Sequence, residues 1–122
     1  MRDAASLNIH EMIEIAYDIV ASDLMIKANS RPRIKKDSLV ADLPGEWPVL
    51  TEADSARLLN TLMNERQSRK FDETHEMDLA FQVKDKCRVR CNLYFQRNAP
   101  AAVMRVIPLK IRGLEELGLP PV

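Results

Sequence analysis

The sequence predicts an α+β domain, in which a mainly antiparallel sheet has its helices packed on one face. Apolar residues recur at helical intervals over residues 8–21. Over residues 87–108, apolar and polar side chains instead alternate, as they do on paired strands that bury one face. Helical and strand patterns occupy separate blocks of the chain, and this segregation is typical of helices on one side of an antiparallel sheet.

The N-terminal half contains helical patterns at its two ends and short strand patterns between them. The predicted elements are a helix over 8–21, strands over 24–28, 33–36 and 39–43, and a helix over 51–64. Asn8 is placed to cap the first helix, and Asp37-Ser38 fits a two-residue hairpin connection. Trp47 lies in a loop rich in Pro and Gly, and we assign it a packing role in preference to ligand stacking.

The C-terminal half predicts a short helix followed by antiparallel strands. The predicted elements are a helix over 65–72 anchored by Phe71, strands over 77–83, 87–96 and 101–107, and one helical turn over 114–117. Residues 97–99 are assigned to the turn between the last two strands, because Asn tolerates left-handed dihedrals. Residues 118–122 are typical of the start of a linker, since Pro-rich ends of this kind rarely pack.

The strand over 87–96 is predicted to have one apolar and one polar face. The polar face carries Arg88, Arg90, Asn92, Tyr94 and Gln96. Cys87 and Cys91 fall on the apolar face, and positions four apart on a strand are separated by about 13 Å, which is too far for a disulfide. We therefore expect both cysteines to be small core residues in a reducing compartment.

The composition favours one domain without a general affinity for nucleic acid or membranes. The 122 residues include 18 Lys or Arg and 18 Asp or Glu, so the formal net charge is zero. Residues 84–112 are nevertheless strongly basic, and residues 46–80 are acidic. These regions can pair with each other or with a neighbouring subunit, or they can be solvated surface. No signal peptide and no membrane span of about 20 apolar residues is visible, so we expect a cytoplasmic protein.

The sequence contains no pattern typical of an independent catalyst. It lacks the phosphate-binding loop G-x-x-x-x-G-K-[ST] and the nucleophile elbow G-x-S-x-G. It has no Cys/His ligand set, His10 has no second ligand at helical spacing, and His75 belongs to an acidic segment typical of solvated surface. We therefore predict no catalytic residue, no metal and no cofactor within this chain.

Several segments, in the right order and with the right gaps, resemble the motifs of one family. Residues 21–24 are similar to A-S-D-[IL]-H, 32–37 to P-x-x-R-x-D-G, 88–96 to R-F-R-V-N-x-[FY]-x-Q, 104–108 to [FLM]-R-x-I-P, and 114–120 to E-x-L-G-L-P. Asp78 occupies an acidic strand position of the same family. On these motifs, the chain resembles the N-terminal domain of the PilT family of type IV pilus retraction ATPases, within the type II/IV secretion ATPase superfamily.

The resemblance implies a PAS-like domain over 1–117 and, at 118–122, the start of a linker toward a RecA-like ATPase domain. It also implies a homo-hexamer at the pilus or secretion machinery, on the inner face of the cell membrane. The domain would pack on the neighbouring subunit's ATPase domain, and ATP and magnesium would belong to the parent ATPase. The implied site residues are Arg88, Arg90 and Arg105 for contact with nucleotide phosphates in trans, and Asp78, Asn92 and Gln96 for intersubunit or structural roles.

The chain departs from the family's pattern at several positions. Met25 stands where the family usually has His, Lys35 where it has Arg, and Ser38 where it has a turn Gly. Residues 99–101, Ala-Pro-Ala, replace a Gly-rich turn, and we expect them to stiffen the turn that follows Arg97. These changes are compatible with a divergent paralogue as well as with an orthodox retraction motor.

Other interpretations of the basic strands stay open at the level of sequence. Arg88, Arg90 and Arg105 can pair with Asp78 and Glu76 on the neighbouring strand, because opposite charges often face each other across a sheet. The chain can alternatively be a stand-alone PAS-like module that binds a small ligand or a protein and regulates a motor.

A nucleic-acid binder that uses the basic hairpin is the weakest hypothesis. The net charge is zero, and Tyr94 is the only aromatic residue on the polar face of its strand, so there is no platform on which bases could stack. We therefore expect no nucleic-acid partner.

Overall fold

The computed structural model describes residues 7–109, and these form a sheet with helices on one side. The elements in chain order are α1 (Ile9–Asp18), β1 (Asp23–Ile26), β2 (Arg33–Lys36), β3 (Leu39–Asp42), α2 (Glu52–Asn60), α3 (Glu65–Thr74), β4 (Glu76–Val83), β5 (Cys87–Gln96) and β6 (Ala99–Pro108). The helical turn predicted at 114–117 and the linker predicted at 118–122 lie outside the described residues.

The strands of the described region form one six-stranded antiparallel sheet in the order β3-β2-β1-β6-β5-β4. Strands that are neighbours in this order are also consecutive in sequence, with the exception of β1 and β6. The last strand therefore joins the N-terminal strands to the C-terminal meander. This architecture confirms the predicted α+β class with an antiparallel sheet.

The core lies between the helices and one face of this sheet. Leu24 of β1, Met104 of β6 and Cys91 of β5 lie directly opposite one another in register, and all are buried. They pack in one apolar cluster with buried side chains of α1, α2 and α3, which include Met12, Ile13, Leu58, Leu59 and Phe71. The sheet residues that alternate with the core residues point away from the helices, and we call their side of the sheet the open face.

The start of α1 confirms the sequence prediction, but its end does not. The Asn8 side chain accepts hydrogen bonds from the backbone N–H groups of His10 and Glu11, at 2.8 and 3.4 Å. The helix ends at Asp18, earlier than the predicted residue 21. Val20 adopts a left-handed conformation with φ of 61°, and the Ala21 N–H donates to the Ala16 carbonyl at 2.9 Å, which closes the helix.

The predicted helix over 51–64 is divided between α2 and the cap of α3. Thr51 caps α2 as expected, but the helix ends at Asn60. Asn64 was predicted to end α2, and this was wrong: it caps α3. Its side chain accepts from the Gln67 N–H at 2.8 Å, while its own N–H donates to the Gln67 side chain at 2.9 Å. This reciprocal capping box requires an extended residue at 64 and so excludes a continuous helix.

The predicted hairpin between β2 and β3 is confirmed. Asp37 and Ser38 both have positive φ, 52° and 67°, as a two-residue type I′ connection requires. The turn after β5 is shorter than predicted: it was assigned to residues 97–99, but β6 already begins at Ala99. Pro100 pairs with Phe95 of β5, and pairing with β1 starts only at Ala102. Pro100 therefore has no β1 partner to which a backbone N–H would have to donate, and a proline is tolerated there.

The loop before α2 is held by Trp47, which confirms its packing role. Trp47 is buried, and its Nε1–H donates to the Pro44 carbonyl at 2.8 Å. Gly45 has φ of 115°, and a Cβ at this position would approach Trp47 Nε1 to 2.9 Å. Glycine is therefore required at position 45 by both its backbone conformation and the space available.

Candidate anion-binding site

The open face carries a row of four charged residues and one alanine in direct register across the sheet. The row consists of Ala80 on β4, Arg90 on β5, Arg105 on β6, Asp23 on β1 and Lys35 on β2. Directly opposed side chains on antiparallel strands have Cβ atoms about 5 Å apart. The register therefore places the side chains of Arg90 and Arg105 next to each other.

Arg105 has a carboxylate partner on β1, which lies on the other side of β6 from Arg90. Its Nε lies 3.4 Å from Oδ1 of Asp23. The Asp23 side chain is only 10% exposed, whereas that of Arg105 is 68% exposed. A buried carboxylate thus contacts a guanidinium whose remaining N–H groups can reach solvent.

Arg90 lacks such a partner among residues 7–109. It lies opposite Ala80 on one side and opposite Arg105 on the other. Within the same residues, the alternative pairing of the arginines with Asp78 and Glu76 is not observed, because the register places Asp78 opposite Asn92 and Glu76 opposite Tyr94. Like charges directly opposite each other destabilise a sheet, and a bound anion would relieve the repulsion.

Asp78 and Asn92 form a second row on the open face, because the register places them directly opposite each other. Asn92 Nδ2 donates to Asp78 Oδ1 at 2.9 Å across β4 and β5. This hydrogen bond holds the Asp78 carboxylate toward its own strand pair. The contact does not involve an arginine.

Four of the six sequence-predicted site residues line one open depression of about 500 Å³. Its lining includes Arg90, Arg105, Asp78 and Asn92, together with Asp23, Leu79, Ala80, Cys91 and Val103. The volume is in the range of small-molecule sites. Sequence reasoning missed Asp23 as a site residue: it treated the residue as part of a turn and a motif, although its place before an apolar strand indicates that it enters the sheet.

Arg88 and Gln96 lie outside this depression. Arg88 is two residues along β5 from Arg90 and faces Gln82 and Ile107. Gln96 lies at the far end of β5 and lines a separate cavity of about 210 Å³. The structure therefore brings together two of the three candidate arginines, not all three.

The charges that line the depression are balanced. Arg90 and Arg105 contribute two positive charges, and Asp23 and Asp78 contribute two negative charges. Guanidinium groups suit phosphate or carboxylate oxygens because their planar N–H groups can donate in pairs. Among residues 7–109, no group of three or more His, Cys, Asp or Glu side chains is arranged to hold a metal ion.

The two cysteines behave as core residues, as the sequence predicted. Both are free and buried. Burial raises the pKa of Cys91 to about 12 and also raises the pKa of Cys87, because a thiolate loses its hydration in apolar surroundings. Cys91 is among the residues that line the depression, but its thiol is not suited to act as a nucleophile at neutral pH.

Known proteins are similar to this chain in sequence and in fold. No family model matches the chain. The type IV pilus retractation ATPase PilT of Pseudomonas aeruginosa is 33% identical over 113 residues, which cover 93% of this chain and 32% of the relative. The type IV pilus ATPase PilU of the same organism is 30% identical over 116 residues, covering 95% of this chain and 30% of the relative. The chain is a homologue of the PilT-type pilus ATPases.

The structural comparison agrees with this homology. A crystal structure of the pilus retraction motor PilT with bound ADP superposes with a TM-score of 0.79 at 30% identity, covering 94% of this chain and 33% of that one. The chain thus spans about a third of the length of the PilT-type proteins that it matches, and it resembles their N-terminal domain. Within residues 7–109, no helix is long and apolar enough to cross a membrane.

Proposed function

We propose that the chain is the N-terminal interaction domain of a type IV pilus or secretion motor ATPase, and that Arg90 and Arg105 contact nucleotide phosphates held by a neighbouring subunit. The observation that carries this proposal is the direct opposition of the two arginines on an exposed face, with a carboxylate on the Arg105 side. A phosphate placed between them would supply the negative charge that Arg90 lacks within the described residues.

The open face is also suited to packing on another domain. The described helices pack on the other side of the sheet, which leaves the open face with polar side chains and the partly exposed apolar residues Val103 and Ile107. Interfaces between domains combine apolar contacts with charged groups of this kind. We place the RecA-like ATPase domain of the neighbouring subunit on this face.

The remaining parts of the proposal are those that the resemblance to the family implies. Domain 1–117 precedes a linker that begins at 118–122, and the parent protein is a homo-hexameric ATPase that uses ATP and magnesium. It works in the cytoplasm at the inner face of the membrane, with the pilus or secretion machinery. The relatives support a motor of this type because they are named as type IV pilus ATPases.

The arginine assignment is tested in the full-length protein encoded by the same reading frame. Arg90→Ala and Arg105→Ala are each expected to lower ATP hydrolysis at least about tenfold, because arginines supplied in trans stabilise charge on the transferred phosphoryl group. Arg66→Ala, which removes an exposed cation from α3, is the matched control. Arg88→Ala shows whether the third arginine takes part. Unchanged hydrolysis in both Arg90 and Arg105 variants would contradict the assignment.

The reading frame beyond Val122 separates this proposal from the stand-alone module considered above. A G-x-x-x-x-G-K-[ST] motif within the following domain supports the motor. A stop codon directly after Val122 would instead favour a regulatory module that acts on a separate motor.

A further inference from the structure

We infer that Asp23 regulates the proposed phosphate site by holding Arg105 away from Arg90 until a strongly charged anion is presented. The inference rests on the proposed function and extends it to a residue outside the arginine set. Asp23 is a positioning residue, because it acts on the anion through Arg105. In this arrangement, the domain binds free phosphate-type anions weakly and responds to a nucleotide that another domain already holds.

The sheet order places Asp23 and Arg90 on opposite sides of Arg105. β6 lies between β1 and β5, so Arg105 has Asp23 as its neighbour on one side and Arg90 on the other. The Nε–Oδ1 distance of 3.4 Å to Asp23 therefore draws the guanidinium toward β1. An anion that binds to both arginines must attract Arg105 in the opposite direction.

The burial of the two partners shows which of them can move. Asp23 lies in a central strand, has a short side chain and is 7% exposed as a residue. Arg105 has a long side chain that is 68% exposed, so its guanidinium can change position while the carboxylate cannot. Asp23 is thus a fixed internal competitor for the same guanidinium that a phosphate would use.

The local charge balance favours strongly charged ligands. With Asp23 and Asp78 in the depression, an approaching anion meets no surplus of positive charge. Removing the Asp23 charge frees Arg105 and also changes this balance. Asp78 separates the two effects, because it lies in the same depression but is hydrogen-bonded by Asn92. Asp78→Asn therefore changes the net charge equally without freeing Arg105.

Titration of the 122-residue chain with pyrophosphate tests the inference. Binding is followed by NMR, including the Nε–H resonances of the arginines. Asp23→Asn is expected to bind pyrophosphate about tenfold more tightly than the unmodified chain, because an opposing charge at contact distance is removed. Asp78→Asn makes the same change in net charge but leaves Arg105 paired with Asp23, so it is expected to raise the affinity clearly less than Asp23→Asn does. Asp23→Glu, which keeps the charge, is expected to restore weak binding.

The spectroscopic signature distinguishes positioning from a general effect on folding. Compared with the unmodified chain, the Asp23→Asn variant is expected to show a shifted Arg105 Nε–H resonance before any ligand is added, and this resonance is expected to shift again with pyrophosphate. Adding Arg105→Ala to Asp23→Asn is expected to abolish the gain. Asp23→Ser provides a second neutral variant if Asp23→Asn does not fold. Equal gains in Asp23→Asn and Asp78→Asn, or no gain in either neutral Asp23 variant, would overturn the inference.

The role of Asp23 and the proposed function can be contradicted separately. Pyrophosphate binding is measured on the chain alone, whereas ATP hydrolysis is measured on the full-length protein. Hydrolysis that depends on Arg90 and Arg105 while Asp23→Asn shows no gain would contradict the role of Asp23 only. A gain in Asp23→Asn with hydrolysis that ignores both arginines would contradict the proposed function.

Discussion

Arg90 and Arg105 carry the same charge and face each other across β5 and β6, but their surroundings differ. Arg105 has Asp23 beside it on β1, while Arg90 faces Ala80 on β4. The sequence predicts the face on which each arginine lies, because strand side chains alternate. The partner depends on the neighbouring strand, and for this reason the alternative pairing with Asp78 and Glu76, which the sequence left open, is not observed.

At the same scale, we predict that Cys91 resists thiol reagents in the folded protein. With a pKa of about 12, only about one thiol in ten thousand is ionised at pH 8, compared with about a quarter for a free cysteine. Reaction with a disulfide reagent is therefore expected to be about a thousandfold slower than in denatured chain. Stopped-flow absorbance in native and denaturing buffer measures both rates.

The single variants Cys87→Ser and Cys91→Ser assign the labelling to individual residues. Cys87 is also buried, and its pKa is also raised, so slow labelling is expected in both variants. Rapid reaction of the Cys87→Ser variant in native buffer would show that Cys91 is accessible and that the core assignment is wrong.

At the scale of elements, the end of α1 depends on a residue that is poorly suited to its conformation. Val20 is 61% exposed and has φ of 61°. A β-branched side chain is strongly disfavoured in the left-handed region, where glycine is the usual residue after a helix. The apolar pattern extended to residue 21 and therefore predicted a longer helix, because periodicity does not report this backbone strain.

We predict that Val20→Gly raises the free energy of unfolding by about 0.5–1 kcal/mol. Relief of the left-handed strain exceeds the extra entropy that glycine gives the unfolded chain. Urea denaturation followed by circular dichroism measures the change. Val49→Gly is the control, since Val49 is 49% exposed but does not have a positive φ. A destabilisation by Val20→Gly equal to that of Val49→Gly would contradict the prediction.

At the scale of the whole molecule, α1 is tied to the turn between β4 and β5 by a pair of ionic contacts. Glu14 Oε1 accepts from Lys84 Nζ at 2.9 Å and from Lys86 Nζ at 3.0 Å. These partners are 70 and 72 residues away in sequence. The lysines hold the pKa of Glu14 below its ordinary value of 4.5, chiefly by hydrogen bonding.

We predict that Glu14→Gln destabilises the protein by less than about 1 kcal/mol at pH 7, because exposed ion pairs contribute little. The folded-state pKa is lowered, so the contribution is present above pH 4.5 and is lost as the pH falls through the folded pKa. The difference from the unmodified chain is therefore expected to be smaller at pH 3 than at pH 7. Urea denaturation at both pH values measures it.

Glu73→Gln is the control for this experiment, since Glu73 is exposed and makes no ion pair with another residue in the range 7–109. The difference in stability between Glu73→Gln and the unmodified chain is expected to be small at both pH values. A Glu14→Gln difference that persists unchanged at pH 3 would mean that Glu14 contributes through packing and not through its charge.

Most element positions could be predicted because they depend on local patterns. The β2–β3 hairpin, the cap at Asn8 and the burial of Phe71 follow from turn chemistry and periodicity, and the structure confirms them. The boundary near Asn64 was wrong because one residue can end a helix or cap the next, and only the contact with Gln67 decides between these roles. Four of the six candidate site residues line the depression, while Arg88 and Gln96 lie outside it, and the roles of all six stay predictions.

The sequence by itself determined which side chains of each strand face the core, because alternation of apolar and polar residues is a local property and apolar burial follows it. Tertiary structure alone decided which strands became neighbours. β6 pairs with β1 as well as β5, which brings Arg105 to Asp23 across 82 residues of sequence and to Arg90 on the other side. No local pattern specifies that arrangement, because strand order and register depend on how the whole apolar face is buried against the helices.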